Sequence, residues 1–373
     1  MGAGPGGLVA AIAARRRGFG AAVYEQAPEF RAVGSGVVLH SNGMRVLDAL
    51  GILDDLRPRL RLSRELVLEE ENGEILGRID YRDLDVPHNA ASVILRHVLL
   101  DRLLAAARGA GAEMHFGKRC SGVATEGGGA ILRFDSQSVP ADTIVAADGV
   151  RSAVRAALGI PTEVVESGRA YVRGIAEVPP PDEAFHEIWG RDGRVFGICP
   201  FEGNQTFFFC TAPFRAWPPA DRDGWLASWG RFPGSVGEVL RRIDWPSVNY
   251  DEVKMVRVAQ WSRPPFWLVG DAAHAMVPNL GQGANSAMVD AWILMGLLAQ
   301  GRAGEYERLR RRFVERVARA ARRLDRLSRW SSRVGRFVRR WGVKIGSALP
   351  GSLPLAAGYH PREASWFSPP GDR

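Results

Sequence analysis

Apolar residues recur along this chain at helical spacing in some stretches and in short strand-like runs in others, and the switches mark out its elements. From Leu8, LVAAIAARRRG sets small apolar residues at helical spacing and stops at Gly18, which predicts a glycine-terminated helix. AAVYE reads as a short strand ending at Glu25, and DTIVAADG as an apolar strand ending at Asp148. Leu99, Leu100, Leu103 and Leu104 make the inward face of an amphipathic helix. LVLEEENGEILGRIDY predicts a hairpin turning at Asn72 and Gly73. FHEIWGRDGRVFGICP and NQTFFFCTAP predict three more strands with turns at Gly193 and Gly203, and YDEVKMVRVAQ another. Tyr306, Leu309, Phe313, Val317, Leu324, Leu327, Trp330, Val334, Phe337 and Trp341 recur mostly three and four apart, which predicts one amphipathic helix with an arginine-rich outer face. Pro179–Glu183 and Pro213–Gly224 read as loops, and the proline- and glycine-rich tail after Leu349 as loosely packed.

Three short signatures interrupt this pattern, each placing glycine and a carboxylate where backbone meets a ligand. The first is GxGxxG, formed by Gly2, Gly4 and Gly7 with Gly6 between them. Glycine here lets backbone N–H groups touch a pyrophosphate and lets helix and sheet pack closely. Glu25 lies at about the ~20-residue offset at which a carboxylate binds an adenosine ribose. In the second, Asp148 and Gly149 end an apolar strand, with Arg151 and Arg155 following. The third is LVGDAAHAMVPNLGQGANSAMVDA: a strand ends at Val269, Gly270 turns the backbone, and Asp271 is left at the strand tip as an acceptor for a ligand hydroxyl. Beyond Pro278, the residues Gly281, Gln282, Gly283, Ala284 and Asn285 open a helix whose unpaired N–H groups suit an anion forming on a planar ring. His274 reads as a packing residue rather than a base.

In this order the three signatures closely resemble those of the class A FAD-dependent monooxygenases, the family of the p-hydroxybenzoate, salicylate and urate hydroxylases and the tetracycline-inactivating enzymes. The resemblance runs from about Met1 to Leu324. It implies an α/β fold: a Rossmann-like FAD-binding domain with its first strand truncated, an inserted antiparallel β-sheet substrate domain, and C-terminal helices. It further implies FAD contacts at Gln26, Val38, Arg96 and Val123, and places Asp148 and Gly149 near the pyrophosphate and the nicotinamide cofactor. An arginine at a helix start opposes the dipole, so a bound phosphate or carboxylate would explain Arg96; an ion pair with Asp101 or Glu113 is the alternative. The middle strands would floor the substrate pocket, with Tyr171, Arg173, Trp189, Phe196, Phe207 and Phe209 as candidates and Arg173, Phe196 and Phe209 as the chosen set.

The expected organisation is an FAD-binding domain from 1–62 and 95–160, a substrate-binding β layer from 63–94 and 161–262, the third signature and C-terminal helices over 263–345, and an irregular tail over 346–373. Only Met1 precedes Gly2, where dinucleotide folds carry a buried parallel strand between the strands ending at Glu25 and Asp148. Losing ~5 buried aliphatic residues would remove about 8 to 15 kcal/mol, as much as a domain's whole stability. The expectation is a start upstream of Met1; the alternative is a product that binds FAD badly.

Composition narrows the class without choosing the reaction. The 373 residues, 46% of them hydrophobic, suffice for about two domains. No window approaches the ~18 uninterrupted apolar residues of a membrane span, since MVDAWILMGLLA carries Asp290. No signal peptide precedes the glycine loop, and Cys120, Cys199 and Cys210 form no CxxC pair, which points to a cytoplasmic protein without a metal site. The net charge of +8 is local: Arg302–Lys344 holds 16 basic and 4 acidic residues. The preferred role of that basic helix is to cover the FAD domain; peripheral docking on an anionic membrane is the sharper alternative. No nucleic-acid recognition motif accompanies the charge.

The resemblance also implies the chemistry. With a single dinucleotide motif, FAD stays bound while NADPH or NADH visits; O2 then gives a flavin hydroperoxide that hydroxylates or epoxidises an aromatic or polycyclic small molecule. No acid or base residue is assigned. A reductase or dehydrogenase of the same fold, and a truncated non-catalytic relative, are the alternatives.

Overall fold

The computed structural model describes residues 1–29, 36–135, 137–213, 221–347, 358 and 365–367. Helix α1 (Pro5–Arg16) has proline in its first turn, where a missing N–H costs nothing, and Gly18 just past its end with φ 83°. There follow β1 (Ala22–Tyr24), β2 (Gly36–Leu39), α2 (Ser41–Ala49), α3 (Leu53–Leu56), the hairpin β3 (Glu65–Glu70) and β4 (Ile75–Asp80), β5 (Ser92–Leu95) and α4 (Arg96–Gly109). Next come β6 (Glu113–His115), the antiparallel trio β7 (Gly122–Glu126), β8 (Gly129–Arg133) and β9 (Ser138–Ala141), then β10 (Ile144–Ala146) and α5 (Ala153–Ala157). The second half runs β11 (Thr162–Ala176), β12 (Phe185–Trp189), β13 (Val195–Phe201), β14 (Gln205–Pro213), α6 (Arg222–Ala227), α7 (Gly234–Arg241) and β15 (Ile243–Val258). It ends with β16 (Ser262–Arg263), β17 (Phe266–Leu268), α8 (Asp271–His274), α9 (Gly283–Ala299), α10 (Tyr306–Ser328) and α11 (Arg333–Ser347).

The first layer is built on two parallel pairs, β1 with β6 and β10 with β17. The backbone of Met1 and Gly2 runs between them. The Met1 ammonium donates to Val145 O at 2.7 Å, Ala147 N–H donates to Met1 O at 2.8 Å, and Gly2 N–H donates to Tyr24 O at 2.8 Å. Helices α1 and α9 share one core with these strands, through Leu8, Val9, Ile12, Met288 and Leu294. Helix α9 is apolar on nearly every side and accordingly buried along most of its length.

The second layer is a seven-stranded sheet in the order β15-β11-β14-β13-β12-β3-β4. The expectation of an antiparallel sheet needs one correction, because β12 runs parallel to β3. The two are joined by a long crossover rather than a hairpin, so no turn forces them antiparallel. Side chains alternate between two faces. The outer face, with Val172, Ile188, Phe196 and Phe208, is covered by α7 and the turn that precedes it, through Trp229, Phe232, Val236 and Leu240. Strand β5 pairs with β2 rather than joining this sheet.

The single C-terminal helix expected from Tyr306 to Trp341 is two helices. Between Ser328 and Arg333 a short polar stretch turns on side-chain bonds, with Gly335 N–H donating to Ser332 Oγ at 3.0 Å. The break resets the helical phase. Phe313 and Val317 are buried as the spacing implies, whereas Trp330, Val334, Phe337 and Trp341 are exposed. Of the loop expected from Pro213 to Gly224, residues 214–220 lie outside the described residues, and Arg222–Gly224 instead start α6, capped by Asp221 Oδ1 on Gly224 N–H at 2.9 Å. In the tail, Ser365–Phe367 packs against α9 where looseness was expected: Trp292 Nε1 donates to Trp366 O at 3.0 Å, and the Arg45 guanidinium lies 4.3 Å above the Phe367 ring. Among the described residues no helix is long and apolar enough to cross a membrane.

Candidate functional site

The three glycine and aspartate signatures meet at one place. A Cβ on Gly2 would lie 2.4 Å from Ala147 O, and one on Gly7 would lie 1.9 Å from Gly2 O, so the first signature rests directly on the strand end that carries Asp148. Gly6 and Gly270 both approach Ala287 of α9: a Cβ on Gly6 would lie 3.1 Å from its carbonyl oxygen, and one on Gly270 2.7 Å from its Cβ. Gly4 differs from these, because nothing lies within 4 Å of the place its Cβ would take. The first N–H groups of α1 have no side-chain cap.

Acceptors surround this open cradle. Glu25 receives Ala3 N–H on Oε2 at 2.8 Å and Ala27 N–H on Oε1 at 2.9 Å, which leaves a lone pair on each oxygen. Asp148 Oδ2 accepts from Val154 N–H at 3.1 Å, while its Oδ1 is buried without a partner among the described residues. Gly149 turns the chain there at φ 79°. Arg155 is buried and committed to structure, donating to Ala272 O at 2.6 Å and Val150 O at 2.7 Å. Gln26 is exposed just past Glu25, and Val123 is half-buried on β7. Arg96 is exposed as the first residue of α4 and shows no ion pair or hydrogen bond among the described residues. The alternative pairing with Asp101 or Glu113 is therefore not formed.

The third signature arrives from β17. Gly270 turns at φ 59° and Asp271 stands exposed beyond it. A 3-10 turn, Pro278–Leu280, and a left-handed Gly281 then lead into α9, whose first N–H groups carry no side-chain cap. The Asn285 side chain is used for bracing: Nδ2 donates to Val38 O and Gly281 O at 2.8 Å each, and Oδ1 accepts from His40 N–H at 3.1 Å. Gln282 Oε1 accepts from Asn42 Nδ2 at 3.0 Å. His40, absent from the sequence-based set, is buried against Gly281 with Nδ1 unpartnered, and burial pushes its imidazole down to about 4.

Behind the turn lies Asp290, with Arg310 Nε 2.8 Å from its Oδ1, and His274 Nε2 at 2.5 Å and Gly270 N–H at 3.1 Å from its Oδ2. Burial alone would raise the Asp290 carboxyl, but the His274 and Arg310 charges prevail and hold it down at about 2. His274 is thus a packing residue that helps fix the turn presenting Asp271.

On the inner face of the sheet, one row of cross-strand neighbours runs Leu68, Glu187, Gly197, Phe209, Arg173 and Asn249. At about 4.8 Å per strand, Glu187 and Arg173 stand about 14 Å apart. Gly197 leaves room for the Phe209 ring, whose nearest atom would lie 2.0 Å from a Cβ there. Glu187 Oε1 accepts from Trp189 Nε1 at 2.7 Å; burial pushes this carboxyl up to about 7 against that hydrogen bond. Arg173 pairs with Asp251 at 3.0 Å. Tyr171 OH donates to Asn279 Oδ1 at 2.9 Å and Phe207 packs on Gly36, so this face looks toward the turn before α9 and toward β2.

Phe196 requires a correction. It stacks on Phe208, centroids 5.8 Å apart, within the outer cluster, so it cannot line one pocket with Phe209 and Arg173. Its sequence neighbour Gly197 takes the inner face, because successive side chains of a strand point opposite ways. Glu187 was missed for the converse reason: in HEIWG nothing local tells which face the carboxylate takes.

Residues 1–326 match the family model described as an FAD binding domain. The chain belongs to this family, the FAD-dependent aromatic monooxygenases. It is 31% identical over 343 residues to a 3-amino-4-hydroxybenzoate 2-monooxygenase of Streptomyces cremeus, covering 87% of this chain and 85% of that one. It is also 31% identical over 299 residues to a 2-heptyl-3-hydroxy-4(1H)-quinolone synthase of Mycobacteroides abscessus, 78% of each. The fold is shared with Klebsiella pneumoniae HpxO, solved with FAD and uric acid: TM-score 0.82 over 95% of both chains at 23% identity. This monooxygenase acts on aromatic small molecules, with FAD as cofactor and NAD(P)H as reductant. The reductase and non-catalytic alternatives fall away.

Proposed function

We propose that FAD runs from Glu25 across the Gly2–Gly7 loop to the start of α9, and that the substrate, an aromatic ring bearing an ionisable N–H or O–H, lies between that helix start and the inner sheet face. The observation that carries this reading is the packing of Gly2 and Gly7 on Ala147, and of Gly6 and Gly270 on Ala287, which brings two uncapped helix starts to one groove. In it, amides around Gly4, Gly6 and Gly7 receive the pyrophosphate, and the spare lone pairs of Glu25 receive the ribose. Gln26, Arg96 and Val123 serve the adenosine and phosphate end. Asp148, with Gly149, and Asp271 offer their open carboxylate oxygens midway. Val38, Pro278, Gly281, Gln282, Gly283 and Ala284 border the ring system, with Asn285 holding that edge in place.

When bound, FAD would supply hydride acceptance from NADPH or NADH and activation of O2. The protein supplies position and electrostatics. Open N–H groups at the start of α9 stabilise negative charge on the adjoining ring edge. Phe207 and Phe209 stack against the substrate and keep water out. Glu187, through the oxygen not bonded to Trp189, accepts the substrate's N–H or O–H and holds that proton, and Arg173 receives an anionic or carbonyl substituent. The relatives named for aminohydroxybenzoate and heptylquinolone support this substrate class, since both named rings carry N–H or O–H groups.

FAD-loaded protein should be screened with phenols, hydroxypyridines and 4-quinolones. The expected outcome is stimulated NADPH oxidation with one atom of labelled O2 in the product. Hydrogen peroxide alone from every compound would overturn the substrate reading, and FAD retention unchanged in Asp148→Ala and Asp271→Ala would overturn the groove.

A further inference from the structure

Helix α11 is turned inside out. Its buried side carries Arg339 and Val343. Arg339 donates to Glu70 Oε1 at 2.7 Å and to the carbonyls of Gly190 and Ser328 at 3.1 Å each, while Lys344 reaches Glu74 at 3.0 Å and Arg340 pairs with the same carboxylate. The helix is thus fastened to the hairpin β3–β4 by its charges. Its outward stripe is apolar: Val334, Phe337, Val338, Trp341 and Ile345 are 74%, 64%, 46%, 52% and 59% exposed. Their spacing of three, one, three and four puts them on one side. Trp330, in the turn before the helix, is exposed next to it. An ordinary surface helix shows the reverse arrangement.

Helices α10 and α11 carry an excess of positive charge. Helix α11 contains four arginines and a lysine and no acidic residue. On α10, Arg312, Arg316, Arg319, Arg323 and Arg326 are all exposed, three and four apart, forming a cationic ridge. Large apolar side chains with tryptophan, set beside arginine, match the boundary between lipid headgroups and acyl chains. A second copy would bring two cationic surfaces together, and a soluble polyanion would leave the apolar stripe in water. We infer that α11 docks this monooxygenase on an anionic lipid bilayer, its apolar stripe in the interface and the exposed Arg333 and α10 arginines drawn to the lipid phosphates.

The test is co-sedimentation of the full-length, FAD-loaded protein with vesicles of phosphatidylglycerol and phosphatidylcholine, beside vesicles of phosphatidylcholine alone. Binding to the anionic vesicles should be at least tenfold tighter than to the neutral ones, should weaken with added salt, and should shift tryptophan emission to the blue. The triple variant Val334→Ser, Phe337→Ser, Trp341→Ser should lose at least tenfold of that binding and keep its bound FAD and its NADPH oxidation in vesicle-free buffer. No binding to anionic vesicles at low salt would overturn the inference. So would a triple variant that binds like the parent, which would mean charge adsorption only. A parent dimer in light scattering that the triple variant dissolves would assign the stripe to a second copy instead.

Discussion

Asn285 Nδ2 donates to the carbonyl of Val38 at 2.8 Å, a bond across 247 positions that fixes the start of α9 to strand β2. The same side chain also holds Gly281 O and His40 N–H. Gly43 makes room for it, since a Cβ there would lie 1.9 Å from Asn285 Oδ1. Removing one side chain therefore strands three backbone groups. Asn285→Ala should lower stability by about 2 to 4 kcal/mol and release FAD more readily, read as a lower urea midpoint and a paler protein after gel filtration.

Substitutions at Gly4 and Gly7 should separate cofactor binding from folding. A Cβ at Gly4 meets open space at an ordinary φ of −75°, whereas one at Gly7 would collide with Gly2 O. Gly4→Ala should leave apoprotein stability within about 0.5 kcal/mol of the parent, yet weaken FAD at least tenfold. Gly7→Ala should lower the melting temperature of the apoprotein as well. Equal FAD affinity for Gly4→Ala and the parent, by flavin fluorescence titration, would remove Gly4 from the pyrophosphate cradle.

The Glu187 carboxyl, raised by burial to about 7, makes stability depend on pH. A carboxyl raised on folding favours the folded state below its unfolded value near 4.5, and that advantage is lost as pH rises through about 7. Glu187→Gln keeps an acceptor for Trp189 Nε1 and cannot ionise. The variant should match the parent near pH 4.5 and exceed it by up to about 3 kcal/mol above pH 8, in paired urea unfolding curves across that range. If Glu187 also takes the substrate's proton, the acidic limb of the turnover profile should disappear in the variant. Parallel unfolding curves at every pH would place the carboxyl in a far wetter setting.

Phe196 and Phe209 are alike in sequence and opposite in placement. Phe196→Ala empties the outer core and should cost about 3 to 5 kcal/mol with little change in KM. Phe209→Ala, on the inner face, should raise KM for an aromatic substrate or shift preference to bulkier rings. Steady-state kinetics beside thermal melts distinguishes the two, and KM unchanged in Phe209→Ala would move the substrate off this face.

Much of the candidate cofactor site was legible along the chain because its physics is local. A glycine at Gly2 or Gly270, with positive φ, a carboxylate at a strand tip, and an uncapped helix start are each written in a few consecutive residues. Strand and helix spacings likewise announced the hairpin at Asn72–Gly73 and the inward leucines of α4. What remained hidden depends on residues far apart. Whether Phe196 or Gly197 takes the inner face of the sheet is decided by register with β12 and β14, and a one-residue slip reverses both. The parallel meeting of β12 with β3, the partners of Asn285 and the burial of Glu187 are long-range in the same way. The outward turn of α11 shows it most plainly: its apolar spacing was visible, but a four-residue break reset the phase, and ion pairs to Glu70 and Glu74 chose which side faces the protein. Local sequence determined which backbone shapes and helix ends exist, since steric and hydrogen-bonding preferences act within a few residues. Tertiary packing alone decided which faces meet, since that choice is settled by contacts no short segment contains.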